Sequence, residues 1–493
     1  MATMAAVDLG AQSGRVALGR FDGETLAVTE THRFANEPVS SAGVLRWNVA
    51  DLRRNVLDGL RTAARETAVD SVAVDSWGVD FGLVDSDDRL LEDPVHYRDG
   101  RRAEAFTTAF ERVPARELYG RTGIQLLPIN TIFELAALAA ERSPALAAAD
   151  RILLMPDLFH HWLCGSRTTE LTNATTTQCY DPVEGRWAGD LLERLAIPTD
   201  VFPEVVAPGT LLGVVTAETA DETGLGKATV VAVATHDTGS AVAAAPFARP
   251  GSIFLSVGTW SLVGVELDEP LINDETFAAN LTNEGGVAGT TRLLRNVAGL
   301  WHLHECRRAW AEQGQTFSFE QLVEFARSAP PFGPFIEPNA DLFLEPGDMP
   351  QRIADYCVST AQARPAGVGE TVRCVLESLA LKHAETVDML RRVAGVEPSE
   401  LYVLGGGARN SLLCQWTADA SGLPVFAGPE EATILGNLLV QAMALGEIGS
   451  IDEARAIVRS SFAPTIYEPR GDDTWAGARE RFAALAAASE VTA

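Results

Sequence analysis

Apolar residues alternate through residues 5–20 around Gly10 and Gly14, which predicts strand, tight turn, strand. LAVTETHRF (26–34) adds a third strand rich in β-branched residues, so the chain should open as an antiparallel meander. The period then lengthens. Val49, Leu52, Val56, Leu60 and Ala63 recur at intervals of three and four, which predicts a helix with Asn48 as its cap. SVAVDSWGVDFGLVD (71–85) reads as two short strands joined near Trp77 and Gly78, and RILLMPD (151–157) and VVAVAT (230–235) as further sheet strands between helical stretches.

APFARPG (245–251), with two prolines and a glycine, interrupts this pattern, and a similar one begins again after it. SIFLSVGTWSLVGVEL (252–267) repeats the opening hairpin in outline. An amphipathic helix over 370–395 leads to LYVLGGGARN (401–410), a buried strand ending in three glycines; LPVFAGP (423–429) is a second strand, followed by a helix starting near Ala432. The expected organisation is two α/β domains, 1–245 and 246–493, with ligands bound in a cleft between them.

The formal charge of −28, from 39 cationic and 67 anionic side chains, excludes general binding to nucleic acid or anionic lipid, since no basic patch offsets it. Lysine occurs only at Lys227 and Lys382, and GLGKAT (224–229) lacks the glycine spacing and following hydroxyl of a phosphate-binding P-loop. No segment has the length of a membrane span, and MATMAAVDLG reaches Asp8 before any signal-like apolar core, so a cytoplasmic location is expected. The six cysteines show no metal-binding spacing and are expected as thiols, with Cys357 and Cys374 able to meet if 361–369 turns the chain back between helices.

Candidate chemistry lies at the turns. Asp237, in ATHDTGSA (234–241), follows a strand and opens a small-residue helix, a position from which a carboxylate projects into a cleft and, favoured by the helix dipole, should stay ionised at neutral pH. DLGAQSGR (8–15) offers a glycine turn whose amides, with Ser13 and Arg15, suit the terminal phosphates of a nucleotide, while Asp8 would orient the water shell of Mg²⁺. SVGTW (256–260) is a second such hairpin, and GGGARN (405–410) would let adenosine lie on bare backbone, with Asn410 either capping the next helix or touching the nucleotide. Trp77 suits the apolar face of a sugar or the core equally well.

The stretches VDLGAQSGRV, DSWGVDFGLVD, LTNATTTQ, ATHDTGSAV, SVGTWSL, LTNEGGV and VLGGGARNSLL together resemble the FGGY carbohydrate kinases of the actin-like ATPase superfamily, and within that family the branch acting on L-rhamnulose. The resemblance spans nearly the whole chain. It implies two RNase H-like domains with an interdomain catalytic cleft, residues 1–245 serving the sugar and the base and 246–493 the nucleotide. It implies Asp237 as general base; Gly78, His236, Asp237, Thr238 and Asn296 as sugar contacts; and Ala11, Gln12, Ser13, Gly14, Arg15, Thr259, His304, Gly406 and Asn410 as ATP contacts, His304 standing where a glutamine is expected. The implied reaction is ATP- and Mg²⁺-dependent phosphorylation of L-rhamnulose at O1, a step of L-rhamnose catabolism, with a monomer expected. Two alternatives remain open: a kinase for another ketose such as L-fuculose or xylulose, and a non-kinase actin-like ATPase.

Overall fold

Asn48 caps the helix Val49–Glu66 by accepting from the Asp51 amide at 3.2 Å, and the predicted stripe of Val49, Leu52, Val56, Leu60 and Ala63 is buried. This helix packs beside the opening meander in a computed structural model that describes residues 2–249, 251–471 and 473–490. Pro250, in the segment read as a domain boundary, lies outside the described residues. The meander runs Ala2–Leu9, Ser13–Phe21 and Leu26–Ala35, antiparallel throughout. Among the described residues, no helix is long and apolar enough to cross a membrane.

The chain divides into two compact units: Met1–Pro246 with Glu266–Leu293 and Glu431–Phe462, and Phe247–Val265 with Leu294–Glu430 and Ala463–Ala493. The path therefore crosses between units at several points beyond the one at 246/247. The first unit is built on a six-stranded sheet ordered Thr210–Val214, Thr229–Ala232, Ser71–Ser76, Ala2–Leu9, Ser13–Phe21, Leu26–Ala35. Its three strands Thr229–Ala232, Ser71–Ser76 and Ala2–Leu9 are parallel, so their carboxyl ends lie together on one edge, where ligands of α/β sheets bind.

Two elements differ from the sequence reading. Arg151–Leu154 is a strand, but it pairs antiparallel with Phe81–Val84 in a separate ladder and does not join the central sheet. The strand in VVAVAT ends at Ala232; beyond it Ser76 makes a parallel bridge to His236, and the Ser76 amide donates to the Thr235 carbonyl.

The helix near Ala432 spans Ala432–Ala444 and belongs to the first unit. Ile434, Leu435, Leu438 and Leu439 share a core there with Met4, Ala6, Ala17 and Phe21. It crosses the short helix Asp237–Ala243 so closely that a Cβ on Gly436 would strike the Ser240 carbonyl. Only glycine allows that approach.

In the second unit, Ile253–Val257 pairs antiparallel with Trp260–Leu267 and parallel with Leu401–Leu404, which is followed by Val425–Ala427 and Thr465–Tyr467. The helix Gly367–Ala394 ends at Gly395 in the left-handed conformation that terminates helices. All six cysteines are free, Cys357 and Cys374 included.

Candidate active site

Strand register assembles the first unit's site. Asp8, next to last in its strand, stands opposite Arg15 on one side and Asp75 on the other, and directly opposed residues share a sheet face. The Arg15 guanidinium donates to Asp8 Oδ2 from Nε at 2.8 Å and from Nη2 at 2.6 Å, and its Nη1 is bound by Glu431 at the start of the Ala432–Ala444 helix. Burial works against the Arg15 charge, but Asp8 and Glu431, with Asp75 farther off, outweigh it and raise its pKa. The turn between the strands is pinned by Asn36, whose side chain donates to the Gly10 carbonyl at 2.9 Å.

Asp75 was missed in the sequence. It is fully buried, accepts from Asn437 Nδ2 at 2.5 Å, and its Oδ1 has no hydrogen-bond partner among the described residues. Burial first, then the charge of Asp8, holds its carboxyl well above the usual carboxylate range against the Asn437 bond. Asn437 is held in turn by Gln441, which bonds it at 2.7 Å and reaches Ser71 and the Ala5 carbonyl.

Asp237 opens its helix with His236 as the preceding cap residue. The turn beneath is fixed by Glu170 and the LTNATTTQ segment that follows it: Glu170 accepts from the Thr235 amide at 2.9 Å and its hydroxyl at 2.8 Å, and Thr172 Oγ1 accepts from the His236 amide at 3.1 Å. Asp237 Oδ1 takes the Thr238 amide at 2.6 Å and the Thr238 hydroxyl at 3.2 Å, and lies 3.5 Å from His236 Nε2. Oδ2 receives none of these donors. Burial raises the Asp237 pKa, His236 opposes the rise and Asp8 adds to it. The direction is opposite to that expected from the helix dipole, because desolvation of a half-buried carboxylate outweighs the dipole of a two-turn helix.

Behind His236 stand Glu284 and Arg292, neither singled out in the sequence. Glu284 Oε2 lies 3.2 Å from His236 Nδ1 and 3.3 Å from Arg292 Nη2, and Arg292 Nε donates to the Gly285 carbonyl at 2.8 Å. The remaining expected residues of this unit fall around the same sheet edge. Gly78 has no room for a side chain, since a Cβ would sit 2.9 Å from Thr176 Oγ1. Trp77 is core: its indole donates to Asp80 at 3.0 Å and packs 4.1 Å from the Trp47 ring. Ala11 and Gln12 form the turn itself, and Ser13 and Gly14 open the strand that leaves it.

Thr259, Asn296, His304, Gly406 and Asn410 belong to the second unit. The Thr259 carbonyl accepts from the amides of Gly299 at 3.1 Å and Trp301 at 3.2 Å, which braces the hairpin tip. Asn410 is a helix cap, accepting from the Leu413 amide at 3.0 Å. Gly406 is exposed with open space where a Cβ would be, and His304 packs against Phe319 with its pKa lowered to about 4 by burial and by Arg307.

Residues 3–244 match the profile of the FGGY family of carbohydrate kinases, N-terminal domain, and residues 253–445 that of its C-terminal domain. The chain belongs to this family. It is 42% identical over 478 residues to the rhamnulokinase of Bacteroides thetaiotaomicron, covering 97% of this chain and 98% of that one. It is 39% identical over 483 residues to the rhamnulokinase of Pectobacterium carotovorum, covering 97% and 96%. Its fold is that of solved family structures: ligand-bound xylulose kinase from Lactobacillus acidophilus (TM-score 0.79, 16% identity, 100% and 98% covered) and Plasmodium falciparum glycerol kinase with ADP (TM-score 0.75, 14% identity, 100% and 98% covered). The protein is thus a carbohydrate kinase with the two-domain α/β fold of the actin-like ATPases.

Proposed function

We propose that this kinase transfers the γ-phosphoryl group of ATP to the 1-hydroxyl of L-rhamnulose, giving L-rhamnulose 1-phosphate and ADP. The observation that carries the substrate is the near-full-length identity of 38–42% to several rhamnulokinases. The six free thiols fit the reducing cytoplasm as its location.

Phosphoryl transfer needs positioning and charge stabilisation more than covalent chemistry. Asp237 is the base in this reading. With Oδ1 committed to Thr238, Oδ2 is the oxygen that takes the proton of the sugar hydroxyl as that hydroxyl attacks phosphorus. Gly78, His236, Thr238 and Asn296 are assigned to the sugar. Ala11 through Arg15 are assigned to the phosphates, and Thr259, His304, Gly406 and Asn410 to the nucleotide; for Asn410 the assignment stands beside its capping bond.

The residues present fit a divalent cation held through water. Asp8, Asp75 and Asp237 bear on one another electrostatically, and Asp75 Oδ1 is a buried oxygen without a partner, yet among the described residues no three such side chains converge tightly enough to ligate a metal directly. Mg²⁺, when bound, would neutralise charge on the transferred phosphate. Asp8 and Asp75 would hold its waters.

The test is ADP release over a panel of ketoses, with the product's phosphate located by NMR. L-Rhamnulose should be the preferred acceptor, phosphorylated at O1. Preference for fuculose or xylulose, phosphate on another hydroxyl, or ATP turnover independent of sugar overturns the reading.

A further inference from the structure

Glu284 and Arg292 are buried beside the site and have no part in the reaction outlined above. Glu284 lies in the strand Thr282–Gly285, buried along its whole length, and Arg292 is fully buried. An ion pair this deep is a weak source of stability, because its desolvation cost rivals its attraction, and an apolar pair of the same volume would serve as well. What the pair does have is a third member: the imidazole of His236, hydrogen-bonded at Nδ1 by Arg292 Nη2 at 3.2 Å, with Glu284 Oε2 3.2 Å from the same nitrogen, and facing Asp237 Oδ1 with Nε2 at 3.5 Å.

The surroundings select the ring's hydrogen. A lone pair on Nε2 would point at a carboxylate oxygen, whereas an Nε2–H donates to it. At Nδ1 the ring accepts from the Arg292 guanidinium, a group that can only donate, so the hydrogen of the neutral ring stands on Nε2. Asp237 Oδ1 accepts from the Thr238 amide and the Thr238 hydroxyl, and the His236 Nε2–H faces the same oxygen at 3.5 Å. That fixes the rotation of the carboxylate and leaves Oδ2 turned out.

We infer that Glu284, locked by Arg292, positions His236 so that its Nε2–H anchors Asp237 Oδ1 and presents Oδ2 to the sugar hydroxyl. This rests on Asp237 being the base. Glu284 is a positioning residue, acting on the reaction only through His236. The arrangement follows the general pattern in which a base is oriented by a group that is itself oriented.

The charged groups bearing on Asp237 are His236 beside it, Asp8 and Asp75 from neighbouring strands, and Arg292 behind the imidazole. Loosening His236 removes the one that most opposes the upward pull of burial.

The experiment compares wild type, Glu284→Gln, His236→Asn, the double variant and Asp237→Asn by steady-state kinetics across pH, with circular dichroism to confirm folding. E284Q should lower kcat by roughly ten- to a hundredfold, the scale of a slightly misplaced reacting group, with KM for sugar and ATP little changed. Its acid limb should move to higher pH. The double variant should be no slower than H236N alone, because both changes cut the same chain of contacts. Wild-type kcat with an unmoved acid limb in E284Q overturns the inference, as do losses that multiply in the double variant. If E284Q does not fold, H236N decides: a lowered kcat with a raised acid limb supports the inference, and unchanged values overturn it. An inactive D237N beside a normal E284Q refutes this inference alone; an active D237N refutes the base assignment and this inference with it.

Discussion

Asn437 donates to the buried carboxylate of Asp75 at 2.5 Å across 362 residues of sequence. It is the partner that one Asp75 oxygen has; the other has none among the described residues. Asn437→Ala should therefore cost about 1–3 kcal/mol, the penalty for stranding a buried polar group. Urea denaturation monitored by tryptophan fluorescence measures the loss, and an unchanged midpoint would show that Asp75 is relieved in some other way.

Asp237→Asn should lower kcat by about 10²–10⁴-fold, the usual worth of a general base. The amide keeps the shape but cannot take the proton. Calorimetric titration should find sugar and ATP still bound, and near-normal turnover would remove Asp237 from its role.

The same carboxylate sets the pH profile. The base works deprotonated, and burial with Asp8 raises its pKa, so activity should fall as pH drops through a value above the ordinary aspartate range near ~4. A kcat/KM profile that stays flat down to that range would contradict the raised value.

Arg15 and Glu431 should respond in opposite directions. Arg15→Ala removes a charged donor from the phosphates, worth about 1.5–3 kcal/mol or roughly ten- to a hundredfold in KM for ATP. Glu431→Gln weakens the ion pair that holds the guanidinium back, so KM for ATP should fall. Initial rates at varied ATP and saturating sugar read both, and a rise in both variants would mean that Glu431 aims Arg15 at the phosphates instead of competing with them.

Gly436→Ala forces a methyl group against the Ser240 carbonyl, which is backbone and yields little. Overpacking of this kind costs about 1–3 kcal/mol. Because Ser240 shares a helix with Asp237, kcat should drop along with thermal stability; loss of stability alone would show that the helix start stays put.

Local features were legible in the sequence because their physics is local. The Asn48 cap, the stripe from Val49 to Ala63, the glycine hairpins and the placement of Asp237 at a strand-to-helix turn depend on residues within a few positions of one another. Asp75 escaped notice because Ser71–Ser76 is buried on both faces, so no alternation marked it as special. A carboxylate inside that apolar run was the available signal. Glu284 was present in LTNEGGV, but its partner His236 comes from another segment, and nothing in either stretch announces the other. The upward shift of Asp237 is likewise a property of its surroundings, which a helix-dipole argument leaves out.

The Ala432–Ala444 helix also bears on how the molecule is made. A ribosome releasing the first 246 residues has delivered the central sheet and Asp237, but not the Leu438 and Leu439 that cover Met4 and Phe21, nor Glu431 and Asn437. The nascent chain must keep that apolar face waiting until the much later segment from Glu431 onward has been made. Expressed by itself, the amino-terminal half would emerge with an open seam, and adding residues 431–462 in trans should be what closes it.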